Sequence, residues 1–316
     1  MMERRAFLKA AVLGAAAFVP LRQGRAQEVP NSSGTSRPKL KAPAHACDCH
    51  LHIYDPERFA FAASPRVPPS HAALAQYRML PKRLGTTRAV IVTPRNYGTD
   101  NRATVDAIAQ IGADARGIAV VHPSVTDADM RKLHAAGVRG IRFSLGDPSS
   151  AVVTPAMIEP LAKRVADFGW HVQFNMGGEQ VMELAGLLRR LPVQMVFDHM
   201  ASPPLPAGIG HPSHAFVCDL MDKGRAWVKL SGAYSNSQVG PPAYPEAATI
   251  ARAFVKAAPE RLVWGSDWPH PSLPDGHKPD DAALFDLLSQ WAPEGATRHR
   301  ILVKNPEALY EFANSG

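Results

Sequence analysis

Ala46-Cys47-Asp48-Cys49-His50-Leu51-His52-Ile53 is the first of a series of short, largely apolar runs. Seven more follow, at Arg88–Thr93, 117–122, Val138–Leu145, Trp170–Met176, Val193–Met200, 226–231 and 261–266. Segments with helical spacing or composition lie between them, at 104–111, 127–136, 155–168, 178–190, 214–223 and Pro245–Ala257, and 305–312 follows the last run. Strictly alternating strands and helices require right-handed crossovers and therefore a parallel sheet. Runs apolar on both faces fit strands buried on both sides. Eight such units close naturally into a single-domain α/β (β/α)8 barrel over residues 44–316. No G-x-G-x-x-G follows the first run, so the doubly wound dinucleotide fold has no support.

The 316 residues carry ordinary globular composition, 46% hydrophobic and 20% charged. Residues 1–26 read differently. Arg4-Arg5 precedes Phe7-Leu8-Lys9, an apolar run over 10–21 follows, and Gly24-Arg25-Ala26 ends in a small residue. That order predicts a cleavable twin-arginine-type signal and a periplasmic protein, with no stable membrane anchoring after cleavage. Residues 27–43, rich in Ser, Pro and Lys, read as a linker. The formal charge is +7, and the leader supplies Arg4, Arg5, Lys9, Arg22 and Arg25 against Glu3, so the remainder sits near +3. With no basic run outside the leader, nucleic acid is not an expected partner. Cys47, Cys49 and Cys218 are too few for a disulfide scaffold. Cys47 and Cys49 point the same way along one strand, poor geometry for a mutual bridge, and read as small buried hydrophobes.

In such barrels the chemistry gathers at the C-terminal ends of the strands. Alternation along the first run puts Asp48, His50 and His52 on one face, with Cys47, Cys49 and Leu51 on the outer, helix-packed face. Two imidazoles two residues apart can share a metal ion or jointly polarise one carbonyl. The sixth run ends Phe197-Asp198-His199-Met200, with His199 expected to face the mouth and Asp198 to face outward as a structural group. The eighth ends Trp264-Gly265-Ser266-Asp267-Trp268-Pro269-His270, and Asp267 there suits a general base or a metal ligand. Arg142 ends the fourth run, where a guanidinium can grip a carboxylate or serve a structural ion pair. Arg95 lies in the polar loop after the second run, and Tyr54 and Tyr234 lie near the mouth; these are candidate substrate contacts. Lys229 alternates with Leu230 and reads as a structural partner. His270 is a candidate supporting contact.

His50-Leu51-His52, Asp198-His199 and Gly265-Ser266-Asp267-Trp268-Pro269 together resemble the amidohydrolase superfamily, most closely its amidohydrolase-2 group of TIM-barrel hydrolases. Val138-Arg139-Gly140-Ile141-Arg142-Phe143, Lys229-Leu230-Ser231-Gly232 and Lys304-Asn305-Pro306-Glu307-Ala308-Leu309-Tyr310 fit the same group, so the resemblance spans roughly residues 44–313. It implies a hydrolase, most directly a lactonase acting on a small carboxylated or sugar-derived lactone, with Asp267 activating water and His50, His52 and His199 polarising the carbonyl. Metal-dependent members place a histidine at the end of the fifth strand, where this chain has Asn175, a weak transition-metal ligand and a candidate substrate contact. The resemblance therefore implies no cofactor. The alternative is zinc or another divalent metal on His50, His52 and Asp267, supporting hydrolysis or decarboxylation of an aromatic acid. A binding protein on a retired barrel is the non-enzymatic alternative. The loops after the fourth and seventh strands have fewer arginines than the pyrone-dicarboxylate members, which favours a monocarboxylated or neutral lactone. Either a monomer or a homodimer is compatible with a barrel of this size.

Overall fold

In the computed structural model, which describes residues 28–62, 72–146 and 152–315, the eight expected strands all form. They are β1 (Cys47–Leu51), β2 (Arg88–Val92), β3 (Ala115–Ala119), β4 (Val138–Ser144), β5 (His171–Asn175), β6 (Met195–Phe197), β7 (Ala226–Leu230) and β8 (Leu262–Trp264). Each pairs in parallel with the next in chain order. The ring closes where β1 meets the chain beyond β8: Asp267 N donates to His50 O at 2.8 Å and His52 N to Trp268 O at 2.8 Å. The expected leader, residues 1–26, falls outside the described residues.

Among the described residues, twelve α-helices surround the strands: α1 (Leu74–Tyr77), α2 (Met79–Leu84), α3 (Arg102–Ile111), α4 (Asp127–Ala135), α5 (Ile158–Ala166), α6 (Gly178–Glu183), α7 (Ala185–Leu188), α8 (Pro212–Asp222), α9 (Pro245–Ala257), α10 (Asp281–Trp291), α11 (Gly295–His299) and α12 (Asn305–Tyr310). The helical segment expected over 178–190 is thus two pieces meeting at Leu184. The sequence reading passed over α1, α2, α10 and α11. α10 begins where Asp280 Oδ1 accepts from Ala282 N, an aspartate cap that satisfies one of the helix's free amides. No described helix is long and apolar enough to cross a membrane.

The first strand does not alternate as expected. Its register against β2 shifts between Asp48 and Leu51, which marks a bulge. One extra residue reverses the side-chain parity beyond it. Cys47 and Cys49 therefore point into the barrel, packed with Val90, Val92, Ile118, Val196 and Val263. Asp48 faces outward, where its Oδ1 accepts from Ser266 N and its Oδ2 from Ser266 Oγ and Tyr77 Oη. His50 and His52 still reach the lumen, and Leu51 joins the outer core with Ala89 and Ile91. All three cysteines are free.

Close contact between β1 and the β8 end depends on Gly265. A β-carbon there would lie 2.5 Å from His50 Cβ and 2.8 Å from His50 N. Gly265→Ala is expected to push the bulge aside, lowering unfolding free energy by about 1–3 kcal/mol in a chemical denaturation curve. Activity should fall with it, because His50 rides on the displaced backbone.

The floor of the barrel is sealed by α12 and the chain after it. Arg88 donates to Glu307 Oε1 (2.9 Å) and Ala313 O (2.7 Å), and Arg116 to Tyr310 O (3.0 Å) and Glu311 O (2.7 Å). Phe312 lies under both guanidinium groups. Residues 28–43, expected as a linker, are a strap fastened to the barrel. Val29 is buried, and Trp268 Nε1 donates to Pro30 O at 2.7 Å. Arg83 donates to Ser33 O and Ser36 O and pairs with Asp280, while Leu40 N donates to Asp286 Oδ1.

Candidate active site

The strand ends bring His50, His52, His199 and Asp267 together. Asp267 Oδ1 lies 3.4 Å from His50 Nε2, 3.5 Å from His52 Nε2 and 4.0 Å from His199 Nε2. This oxygen is buried and has no hydrogen-bond partner. The other carboxylate oxygen, Oδ2, accepts from Tyr234 Oη at 2.5 Å. Asp267 (φ 62°) and His199 (φ 49°) both adopt the left-handed region that L-residues avoid. Asp267 is pinned there by its own N–H on His50 O and by His270 N donating to its carbonyl at 2.7 Å. His199 sits against Gly232, where a β-carbon would lie 2.8 Å from the imidazole Nδ1. Its Nδ1 contacts Ser231 Oγ at 3.0 Å.

Beneath the histidines lies an ionic layer in the lumen. Asp198 Oδ2 accepts from Arg142 Nε at 2.9 Å and from Gln173 Nε2 at 3.1 Å. Its Oδ1 lies 3.2 Å from His50 Nδ1 and 3.6 Å from Lys229 Nζ. Lys229 also reaches Gln173 Oε1 at 2.8 Å and His50 Nδ1 at 3.1 Å. The expected outward, structural Asp198 is corrected here. Val196 faces the lumen, and Asp198, still extended (φ −69°, ψ 154°), follows the same parity into it; the left-handed turn at His199 (φ 49°) then breaks alternation, so His199 faces the lumen as well. Lys229, read as a structural partner, pairs with Asp198; Gln173 was missed, although it has the same parity as its neighbour Asn175.

Charge states follow from these contacts. Burial alone would raise Asp267, but the facing imidazoles of His199, His52 and His50 hold it well below the usual carboxylate range. Burial also raises Asp198, and His50, Arg142 and Lys229 outweigh that and depress it. Burial lowers His50 and His52, so both are neutral near pH 7. His52 Nδ1 is 2.7 Å from Val92 O, which can only accept. The His52 proton is therefore on Nδ1 and a lone pair on Nε2 faces the site.

The remaining expected contacts spread outward from this centre. Tyr54 is buried, its ring 6.3 Å from that of His52, and Asp267, Arg142 and Arg95 all act on its phenol electrostatically. Arg95 opens the turn Arg95–Tyr97 after β2. Arg142 takes the ion-pair role through Nε, and its charge is also felt at His52 and Tyr54. Tyr234, expected to touch substrate, has its hydroxyl on Asp267. Asn175 ends β5, half-buried beside Ser144. His171, at the start of β5, sits against Gly140, and burial drives its pKa down to about 3.

The amidohydrolase family model matches residues 47–312, from β1 to just past α12. The chain belongs to the amidohydrolase family. It is 37% identical to a 2-pyrone-4,6-dicarboxylate hydrolase of Comamonas testosteroni, over 87% of this chain and 93% of that one. It is 32% identical to a 4-sulfomuconolactone hydrolase of Rhizobium radiobacter (85% and 90% covered). It is also 32% identical to a D-galactarolactone isomerase of Agrobacterium fabrum (89% and 96%). Among solved structures, an Agrobacterium tumefaciens protein in apo form superposes with TM-score 0.80 at 31% identity, over 90% of this chain and 99% of that one. Among amidohydrolases, this chain is thus an enzyme related to hydrolases of small lactones.

Whether the site suits a divalent ion is a question of donor geometry. His50 Nε2, His52 Nε2 and Asp267 Oδ1 are separated by 3.2, 3.4 and 3.5 Å. Tetrahedral zinc with bonds of about 2.0–2.1 Å needs ligand atoms about 3.3–3.4 Å apart. The donor set fits, and His50 Nδ1 has a carboxylate behind it in Asp198, the usual support for a ligating imidazole.

Proposed function

We propose that this amidohydrolase opens a small carboxylated or sugar-derived lactone with water activated at Asp267. The observation that carries this reading is the unpartnered, buried Oδ1 of an ionised Asp267, aimed at three imidazoles. A water on Oδ1 loses its proton to the carboxylate as its oxygen adds to the lactone carbonyl carbon. His199 faces the oxygen where negative charge develops. The ring C–O bond then breaks, and Asp267 returns the proton to the leaving oxygen, giving a hydroxy acid.

Substrate class is inferred from the cations. Arg142 and Arg95 act on the Tyr54 phenol with the sign opposite to that of Asp267, so positive charge lies near the site for a carboxylate on the ring. The pyrone-dicarboxylate and sulfomuconolactone relatives are named for anionic lactones, which supports the same reading. Proton release from a panel of neutral, monocarboxylated and dicarboxylated lactones tests it. Turnover of a monocarboxylated ring is the expected result, and silence across the panel overturns the proposal. Release of no acid with interconversion of two lactones would instead indicate the isomerase chemistry named for the Agrobacterium fabrum relative.

A second reading rests on the donor triangle. Two imidazole lone pairs 3.2 Å apart repel unless something lies between them. Without an ion, His50 carries its proton on Nε2 and donates to His52, while Lys229 donates to His50 Nδ1. With an ion, His50 carries its proton on Nδ1 and donates to Asp198. A divalent ion held by His50, His52 and Asp267 would supply Lewis-acid polarisation and a more acidic bound water. Lys229→Met removes the donor that favours the ion-free pattern. It is expected to tighten zinc binding about 10-fold in calorimetric titration of the metal-stripped protein, and unchanged affinity would exclude this role for Lys229. Export to the periplasm is proposed on residues 1–26 alone.

A further inference from the structure

We propose that Tyr234, His270 and Asp281 form a buried relay that fixes the orientation of the Asp267 carboxylate, with all three acting as positioning residues. This rests on the proposed role of Asp267. The observation is a continuous chain of polar contacts leading away from the site. Tyr234 Oη donates to Asp267 Oδ2 at 2.5 Å, His270 Nδ1 lies 3.1 Å from the same Oη, and His270 Nε2 lies 3.2 Å from Asp281 Oδ2. His270 and Asp281 are both fully buried.

The physical case begins at the far end. A fully buried carboxylate is costly unless charge or hydrogen bonds compensate it. Asp281, the first residue of α10, aims one oxygen at His270 while its other oxygen has no hydrogen-bond partner. Its backbone N–H is held by Ser32 Oγ of the strap. His270 is fixed from its own backbone too, since Lys278 Nζ donates to its carbonyl at 3.0 Å and its N–H is on Asp267 O. The imidazole is thus gripped on both sides, and its Nδ1 sets the phenol. The phenol in turn occupies Oδ2 of Asp267. Only Oδ1 is left to face the imidazoles, which is the orientation both readings of the site require. A carboxylate–imidazole pair behind a working side chain fixes that side chain's rotamer and tautomer. The arrangement here applies the same principle one residue further out, through a phenol that burial beside Asp267 keeps protonated.

Tyr234→Phe removes the donor and little else. Its kcat with whichever lactone of the panel the wild type turns over is expected to fall about 10–100-fold while KM changes less than about twofold. A hydrogen bond to the ionised form lowers a carboxyl pKa, so its loss moves the acid limb of the kcat/KM profile to higher pH. The groups facing the phenol are Asp267, Asp281, His270 and Ser272, with Lys278 adding its charge near Asp267. Asp281→Asn, which keeps the size of the side chain, should show the same two changes to a smaller degree. If both variants lose only thermal stability, with kcat and the pH profile unmoved, the relay is structural and the proposal is overturned. Crystal structures of the two variants keep the test independent of activity. A rotated Asp267 carboxylate, with Oδ1 no longer facing the imidazoles, supports the relay even if the wild type opens no lactone. An unrotated one overturns it.

Discussion

Asp267→Asn is expected to abolish most turnover while leaving the barrel folded. The substitution keeps shape and one oxygen but removes the negative charge that accepts a proton from water. General-base removal of this kind costs about 10²–10⁴-fold, and the loss should appear in kcat, because Asp267 Oδ1 faces the reacting centre rather than the proposed anion side at Arg142 and Arg95. Near-ultraviolet circular dichroism should be unchanged, since the backbone contacts that fix residue 267 use its N–H and carbonyl. A variant within about threefold of wild-type kcat would refute a base at this position. If a divalent ion is bound, the same substitution removes an anionic ligand, so metal content measured alongside turnover separates the two roles.

Asp198→Ala is expected to produce the largest loss of stability. It would strand Arg142 and Lys229, two cations with at most 4% side-chain exposure, together in the lumen. Breaking a buried ionic group from one side costs about 3–5 kcal/mol, more than its intact worth, because the remaining charges lose the carboxylate that compensates them. Denaturant midpoints read this directly. The wild type carries the corresponding pH signature. The folded-state pKa of Asp198 is depressed, so its stabilisation is fully present above the ordinary carboxylate value of about 3.9. It is lost as pH falls through the lower, folded value. The Ala variant should show less of this acid-side loss. A variant as stable as wild type would mean that the cations find other partners.

The barrel was legible because it repeats. Eight apolar runs separated by helical spacing leave few alternative topologies, and every run became a strand. His50, His52 and Asp267 were legible because strand ends in such barrels are where polar residues must be explained. What escaped was whatever depended on breaking the repeat. The bulge in β1 is a one-residue event that no apolar pattern records, so Asp48 and the two cysteines were assigned to the wrong faces. Asp198 was misplaced because it was assigned the face opposite His199, and the left-handed turn at His199 breaks alternation between the two. Lys229 was read as a structural partner and is one, but its partners Gln173, His50 and Asp198 could not be named, because they come from other parts of the ring. Lateral neighbours across a lumen leave no trace in local spacing. The contacts of residues 28–43 escaped for a similar reason: a Ser- and Pro-rich stretch satisfies its polar backbone equally well in water or against Arg83 and Asp280.

The strap and the floor have a consequence for how the chain assembles. Ser32 meets Asp281 across 249 positions, Arg88 meets Ala313 across 225, and Arg116 meets Tyr310 across 194. Such fastenings contribute nothing until almost the whole ring is in place, so partial barrels lack both their floor and their outer binding. High contact order of this kind makes folding slow and late-committing, and it concentrates stability in the completed molecule. Fragments that end short of the floor residues should behave as open, sticky sheets, and the intact chain should unfold as one unit.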